Sequence, residues 1–206
     1  MNSSTAIANA SLLLIGAKEL TDLDTDTTTT GRIAQRWYAH TRDSILRGYT
    51  WNFALRRQAL SKDATGPDFE FTNSFTLPTD PYCLRALVMF DSDSEWKVEG
   101  RKLLTDDGTV NLKYIARIAD TVEFDDLYTD ALIYRFAANM AFPVMRDKVL
   151  QDRLTIQYLE RVREARSADA IEGTFNKIRS EVFIDSRRTG STIPPATPPS
   201  SAGSAR

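Results

Sequence analysis

With a single cysteine, Cys83, the chain cannot close an intramolecular disulfide or supply a thiolate-rich zinc site. Its one histidine, His40, has Asp43 three residues on, a spacing that could place both on one helix face. Triad chemistry needs a nucleophile as well, and neither a Gly-x-Ser-x-Gly elbow nor a reactive-cysteine context accompanies them. A surface or partly buried helix histidine and a small buried thiol are therefore expected. Glycine is sparse and never falls into Gly-x-Gly-x-x-Gly, while Gly16-Ala17-Lys18-Glu19 lacks the upstream glycine and the Ser/Thr of a phosphate loop. Nucleotide enzymes are disfavoured. Long apolar runs are missing too: Leu12-Leu13-Leu14-Ile15 falls far short of the roughly 20 residues of a membrane span. That group follows no basic region and precedes no small-residue cleavage pattern, so a soluble protein without an export signal is expected.

Two acidic segments open like calcium loops and then fail. After Asp22-Leu23-Asp24-Thr25-Asp26, Thr27 stands where glycine is needed and Ile33 where a bidentate Glu is needed; after Asp91-Ser92-Asp93-Ser94-Glu95, Trp96 and Lys102 stand there. No metal and no cofactor are expected. Carboxylates are numerous, and a glycosidase needs only two of them about 5–10 Å apart in space, which abundance alone does not supply.

What is present suits a packed domain. At 206 residues, 42% apolar and 10% aromatic, the chain can bury a real core in one domain with at most a small insert. A net charge of −2 argues against a general nucleic-acid coat. Arginine outnumbers lysine 19 to 7, which favours bidentate interface pairs; a GC-rich coding bias would produce the same excess.

Asn2-Ser3-Ser4-Thr5 provides caps ahead of Ile7, Ala8, Ser11, Leu12 and Ile15 at helical spacing, and Gly16 stops the helix. A polar loop, Leu20 to Gly31, precedes a long amphipathic helix in which Ile33, Trp37, Thr41 and Ile45 recur every four residues, flanked by Ala34, Tyr38 and Leu46. Gly48 is a kink or a stop, and Tyr49, Trp51 and Phe53 carry enough apolar area to anchor the next segment, with helix expected to about Arg57. From Ala59 to about Val122 short β-like runs alternate with turns: Ser74–Leu77, Leu84–Phe90, Glu95–Val98, Lys102–Leu104 and Val110–Ile115. Helix returns with Leu127, Ala131, Leu132, Ala138 and Phe142, ends near Pro143, and resumes with Leu150, Leu154, Tyr158 and Val162 to about Ala170. Ser186 to Arg206 is rich in Ser, Thr and Pro, carries Arg187, Arg188 and Arg206 without an acid, and reads as an extended cationic arm or an idle tail.

The expected fold is mainly α, of the α+β class: an antiparallel helical bundle with a small inserted antiparallel sheet and an extended C-terminal arm. Residues 1–58 and 123–172 form one discontinuous helical domain, 59–122 the insert and 173–206 the arm.

Between Ala6 and Gly173 an ordered set of segments resembles the tail tubular protein A-like head-to-tail adaptors of short-tailed phages and related prophages. These are the Ile7 to Gly16 helix, Arg42-Asp43 through Trp51-Asn52-Phe53-Ala54 and Arg56, Leu77-Pro78 with Asp80 and Cys83-Leu84-Arg85, Trp96-Lys97-Val98-Glu99-Gly100, Leu112-Lys113-Tyr114-Ile115, the Phe124-Asp125 to Pro143 helix, and Ala165 to Ala170. Pro81-Tyr82 departs from the pattern, which tends to be shorter there. The resemblance implies a dodecameric ring in the virion, assembled in the host cytoplasm, that docks on a portal protein, carries a tail nozzle or tail tube, and lets genomic DNA pass without sequence-specific binding. It implies no catalysis and no membrane partner. On this reading Trp51, Phe53, Leu77, Pro78 and Trp96 are structural; Arg42, Asp43, Arg56 and Arg85 make polar contacts within or between subunits; and Arg187, Arg188 and Arg206 belong to a portal-docking arm. Two alternatives stay open: a virion-associated peptidoglycan hydrolase on the same fold, and a non-viral helical interaction protein.

Overall fold

The computed structural model describes residues 3–90 and 93–172, which hold four α-helices and two small antiparallel sheets. Helix α1 (Ser4–Leu14) starts where the Ser3 hydroxyl accepts the Ala6 N–H. It ends in a Schellman turn: Gly16, at φ +70°, donates to Leu13 and Ala17 donates back to Leu12, both at 3.0 Å. The polar loop that follows is held by Asp22 and Asp26, whose carboxylates accept from Asp24, Thr25 and Thr28 and are kept below the ordinary range by those bonds. A Cβ on Gly31 would stand 2.5 Å from the Asp26 carboxylate, so the loop closes on the helix only with glycine there.

Helix α2 (Thr29–Gly48) buries Gly31, Ala34, Tyr38, Thr41, Ile45 and Leu46. The expected stripe is thus rotated slightly: Ile33 is only half-buried, and Trp37 is exposed, edge-on to exposed His40. Gly48 is a stop. The expected continuation of helix to Arg57 is overturned. Tyr49 is extended, a single 3₁₀ turn spans Asn52–Ala54, and strand β1 (Leu55–Leu60) takes Arg56 and Arg57 into a sheet. The cause is Trp51, fully buried, whose indole N–H must find an acceptor and takes the Ile45 carbonyl at 3.0 Å. That carbonyl is one of the last four of α2, which no following turn can satisfy. One bond caps the helix and satisfies the ring.

The β-rich part therefore begins at residue 55, not 59. It comprises β1, β2 (Asn73–Thr76), β3 (Cys83–Phe90), β4 (Trp96–Glu99), β5 (Lys102–Thr105) and β6 (Val110–Ala116), arranged as two three-stranded sheets in place of the one expected. Their orders are β1-β6-β3 and β2-β5-β4. Leu55 pairs with Ile115, so the chain enters and leaves the first sheet side by side. Strand β3 meets β6 with two register shifts, whereas β4 meets β5 in unbroken register around the turn at Gly100, which has φ +57°.

Helix α3 (Asp126–Met140) is capped by Asp125, which accepts from Leu127 and Tyr128. It packs against α1, α2 and α4 (Lys148–Ile171), so its burial reaches round most of its circumference. Pro143 does not simply end it: a π turn over Ala141–Met145 intervenes, Phe142 is exposed instead of joining the core face, and Arg146 adopts the left-handed conformation. Helix α4 buries Leu154, Val162, Ala165 and Asp169, while Leu150 and Tyr158 are half-buried. The expected C-terminal arm, with Arg187, Arg188 and Arg206, lies outside the described residues.

Trp51 sits in an aromatic cluster, edge-on to Tyr49 at 4.9 Å and to Tyr128 of α3 at 5.2 Å. Phe53 is half-buried and meets Tyr128 and Phe124 at 5.0 and 6.1 Å. Trp51→Ala is expected to cost about 3–5 kcal/mol, because a buried ring and a helix-capping bond go together; a chemical denaturation curve measures it, and an unchanged midpoint would contradict core placement.

Candidate functional site

The segment from Tyr49 to Asn52 is tied to α4 by polar contacts. Asp169 accepts the Asn52 backbone N–H at 2.9 Å, and the Asn52 amide donates to the Asp169 carbonyl at 2.7 Å. Tyr49 donates its hydroxyl hydrogen to the Arg166 carbonyl while the Arg166 guanidinium lies over its ring. Burial pushes the Asp169 carboxyl above its ordinary value, the Asn52 N–H opposes that, and Glu172 and Asp125 add to it. Tyr128, whose phenol burial keeps well above its usual range, remains protonated and donates to the Arg42 carbonyl at 3.2 Å.

The four residues expected to make polar contacts divide. Asp43 bridges two arginines, accepting from Arg42 at 2.9 Å and from Arg117 at 2.7 Å. Arg56 donates to the Phe53 and Leu55 carbonyls and pairs with Glu123 at 2.6 Å. These three therefore act within the chain. Arg85 does not join them: its Nε is buried with no hydrogen-bond partner among the described residues. Of the structural residues, Leu77 and Pro78 are buried beside the Arg101 side chain, which donates to the carbonyls of Pro78 and Cys83 at 2.6 and 2.7 Å. Trp96 is half-buried at the start of β4.

Between α2, β3 and β4 runs a groove of about 760 Å³. Among the described residues Arg47, Arg85, Lys97, Arg101 and Arg117 line it with a single carboxylate, Asp43. The ring of Tyr82 is stacked between two of these cations, with Arg101 at 3.9 Å and Arg117 at 4.3 Å from its centroid. Tyr82 follows Pro81, whose peptide bond with Asp80 is cis, and its carbonyl accepts the Arg117 N–H at 2.8 Å. His40 also reaches this groove, beside Asp43 and Ser44. Cys83 lies at its floor, where burial raises the thiol and keeps it protonated, a poor nucleophile. The arrangement can bind negative charge.

The groove joins Arg85 and Trp96, which the sequence singled out, to Arg47, Tyr82, Arg101 and Arg117, which it did not. Tyr82 follows the proline that departs from the expected pattern, and Arg101 follows the turn glycine Gly100; those were the available signals. Among the described residues no group of His, Cys, Asp and Glu could hold a metal ion. No helix of the described residues is long and apolar enough to cross a membrane. No protein-family model matches the chain, and no curated protein matches it in sequence.

The Asp169 clamp has a signed pH dependence. With its carboxyl raised above the ordinary 3.8, the folded state holds more protons than the unfolded state over the window just above that value, so this group's contribution is greatest below 3.8 and is lost as pH rises through the folded value. Asp169→Asn keeps an oxygen for the Asn52 N–H and cannot ionise. Its stability relative to the parent is expected to improve between about pH 3 and pH 7, measured by urea unfolding at each pH.

Proposed function

We propose that the chain is a structural head-to-tail adaptor: a ring subunit that docks beneath a portal, extends the DNA channel and presents a platform for the tail nozzle or tail tube. In this reading the four helices form an antiparallel bundle, and the two sheets decorate one end of it. The ordered motifs from Ile7 to Ala170 suggest the class.

The observation that carries the reading is the outer face of α4. At 100° per residue Val149, Ile156 and Ile171 fall within about 60° of one another, opposite buried Leu154, Val162 and Ala165. They are 79%, 60% and 72% exposed, and Leu159 at 52% flanks them. These side chains share the arc with exposed Asp152, Arg153, Glu160 and Arg163, so a subunit neighbour on this face of α4, whose inner face packs on α3, would meet apolar and charged groups together, and a head-to-tail contact of this kind closes into a ring where its rotation allows. The polar junctions at Asp43, Arg56 and Asp169 brace the subunit internally and leave that face unobstructed. DNA would traverse the ring without sequence readout.

Mixed with a purified portal protein from a short-tailed phage, the full chain is expected to form rings visible by electron microscopy, and Ile156→Glu to prevent them while leaving thermal unfolding unchanged. A chain that stays monomeric or dimeric in sedimentation with portal present overturns the reading. Deleting residues 186–206 is expected to weaken portal binding, and unchanged affinity removes that segment from the mechanism.

A further inference from the structure

We propose that the basic groove between α2, β3 and β4 is a docking site for an extended acidic segment of a partner protein, which adds to the free edge of β4 as a further strand. The groove has the same chemistry whether or not the protein assembles into a ring.

Among the described residues strand β4 pairs with β5 alone, so alternate residues direct their N–H and C=O groups away from the sheet. Trp96, Lys97 and Val98 are consecutive and all three line the groove. Successive side chains of a strand point to opposite faces, so a wall made by all three is the strand's edge. That edge is regular over four residues, on the order of 13 Å of extended backbone. The facing strand is guarded. Strand β3 carries two register shifts, and its Cys83 and Leu84 carbonyls already accept from Arg101 and Arg47. Of the two edges that line the groove, only β4 is fit to template a new strand.

Charge selects the side chains of the incoming segment. Lys97 pairs with Glu70 and Arg117 with Asp43, but among the described residues Arg47, Arg85 and Arg101 have no carboxylate within ion-pair distance. Arg47 and Arg101 meet neutral carbonyls, and the buried Arg85 Nε meets nothing. A segment with carboxylates on alternate residues, all on one face, would bring them to these guanidiniums while its backbone pairs with β4. Nucleic-acid phosphates would answer the charge and leave the strand edge unpaired, so a protein segment fits better.

The probe is a fluorescein-labelled Val-Glu-Val-Glu-Val-Glu peptide, added to the full chain at low salt and followed by fluorescence anisotropy. It is expected to bind and to slow amide hydrogen exchange at residues 96–98 of the parent protein. Methylating alternate peptide nitrogens, or Arg85→Gln in the protein, is expected to weaken binding roughly tenfold or more. The Arg85 Nε has no hydrogen-bond partner among the described residues, so Arg85→Gln removes no bond there, and an unchanged thermal midpoint checks that the fold is kept. Absence of binding at about millimolar peptide, equal affinity for the N-methylated peptide or a lysine analogue, or preferential binding of a ten-nucleotide oligothymidylate each overturns the proposal.

Discussion

A buried indole cannot leave its N–H unpaired, and Trp51 meets that requirement with the Ile45 carbonyl. This bond decides where α2 ends and how the chain leaves it. The ring then packs on Tyr128, which fixes α3 against the end of α2, and the backbone immediately after it is held by Asp169 of α4. Three helices and the start of β1 thus meet around one side chain. The surrounding hydrogen bonds are individually modest, about 1 kcal/mol each, and the ring itself makes one of them, to the Ile45 carbonyl.

Much of the fold is legible in the sequence because its signals are local. Ser3 caps a helix, Gly16 closes it, and the spacing of Ile45 and Leu46 or of Leu154 and Val162 marks the buried faces. Five of the six strands lie within a residue or two of their expected positions. The sixth was hidden. Leu55-Arg56-Arg57-Gln58 has helix-compatible composition, and its conformation is set by pairing with β6 some 55 residues later, a tertiary choice that outranks local preference. The π turn at Ala141–Met145 is similar: Pro143 announces a break without saying which kind.

The candidate groove was only partly legible for the same reason. Arg85 and Trp96 carry no mark that they face one another across two sheets, and Tyr82 becomes a spacer between Arg101 and Arg117 only once Pro81 has turned the chain. Net charge also concealed it. A chain at −2 overall gathers five cations along one groove, with acids such as Asp22, Asp24 and Asp26 placed in the loop before α2. Polarity here is a matter of distribution, and a sum over the sequence erases it.

The pairing of Leu55 with Ile115 has a bearing on how the chain folds. Contacts between α2 and α3 join residues roughly 80 positions apart, such as Arg42 and Tyr128, which in an open chain would carry a large closure entropy. Once β1 and β6 have zipped, those two helices are tethered through neighbouring strands a few ångströms apart, and the effective loop between Arg42 and Tyr128 shrinks to about 26 residues, 13 on either side of the Leu55–Ile115 pair. The sheet thereby works as a clasp: its assembly turns a distant encounter into a local one, and the helical core can condense behind it.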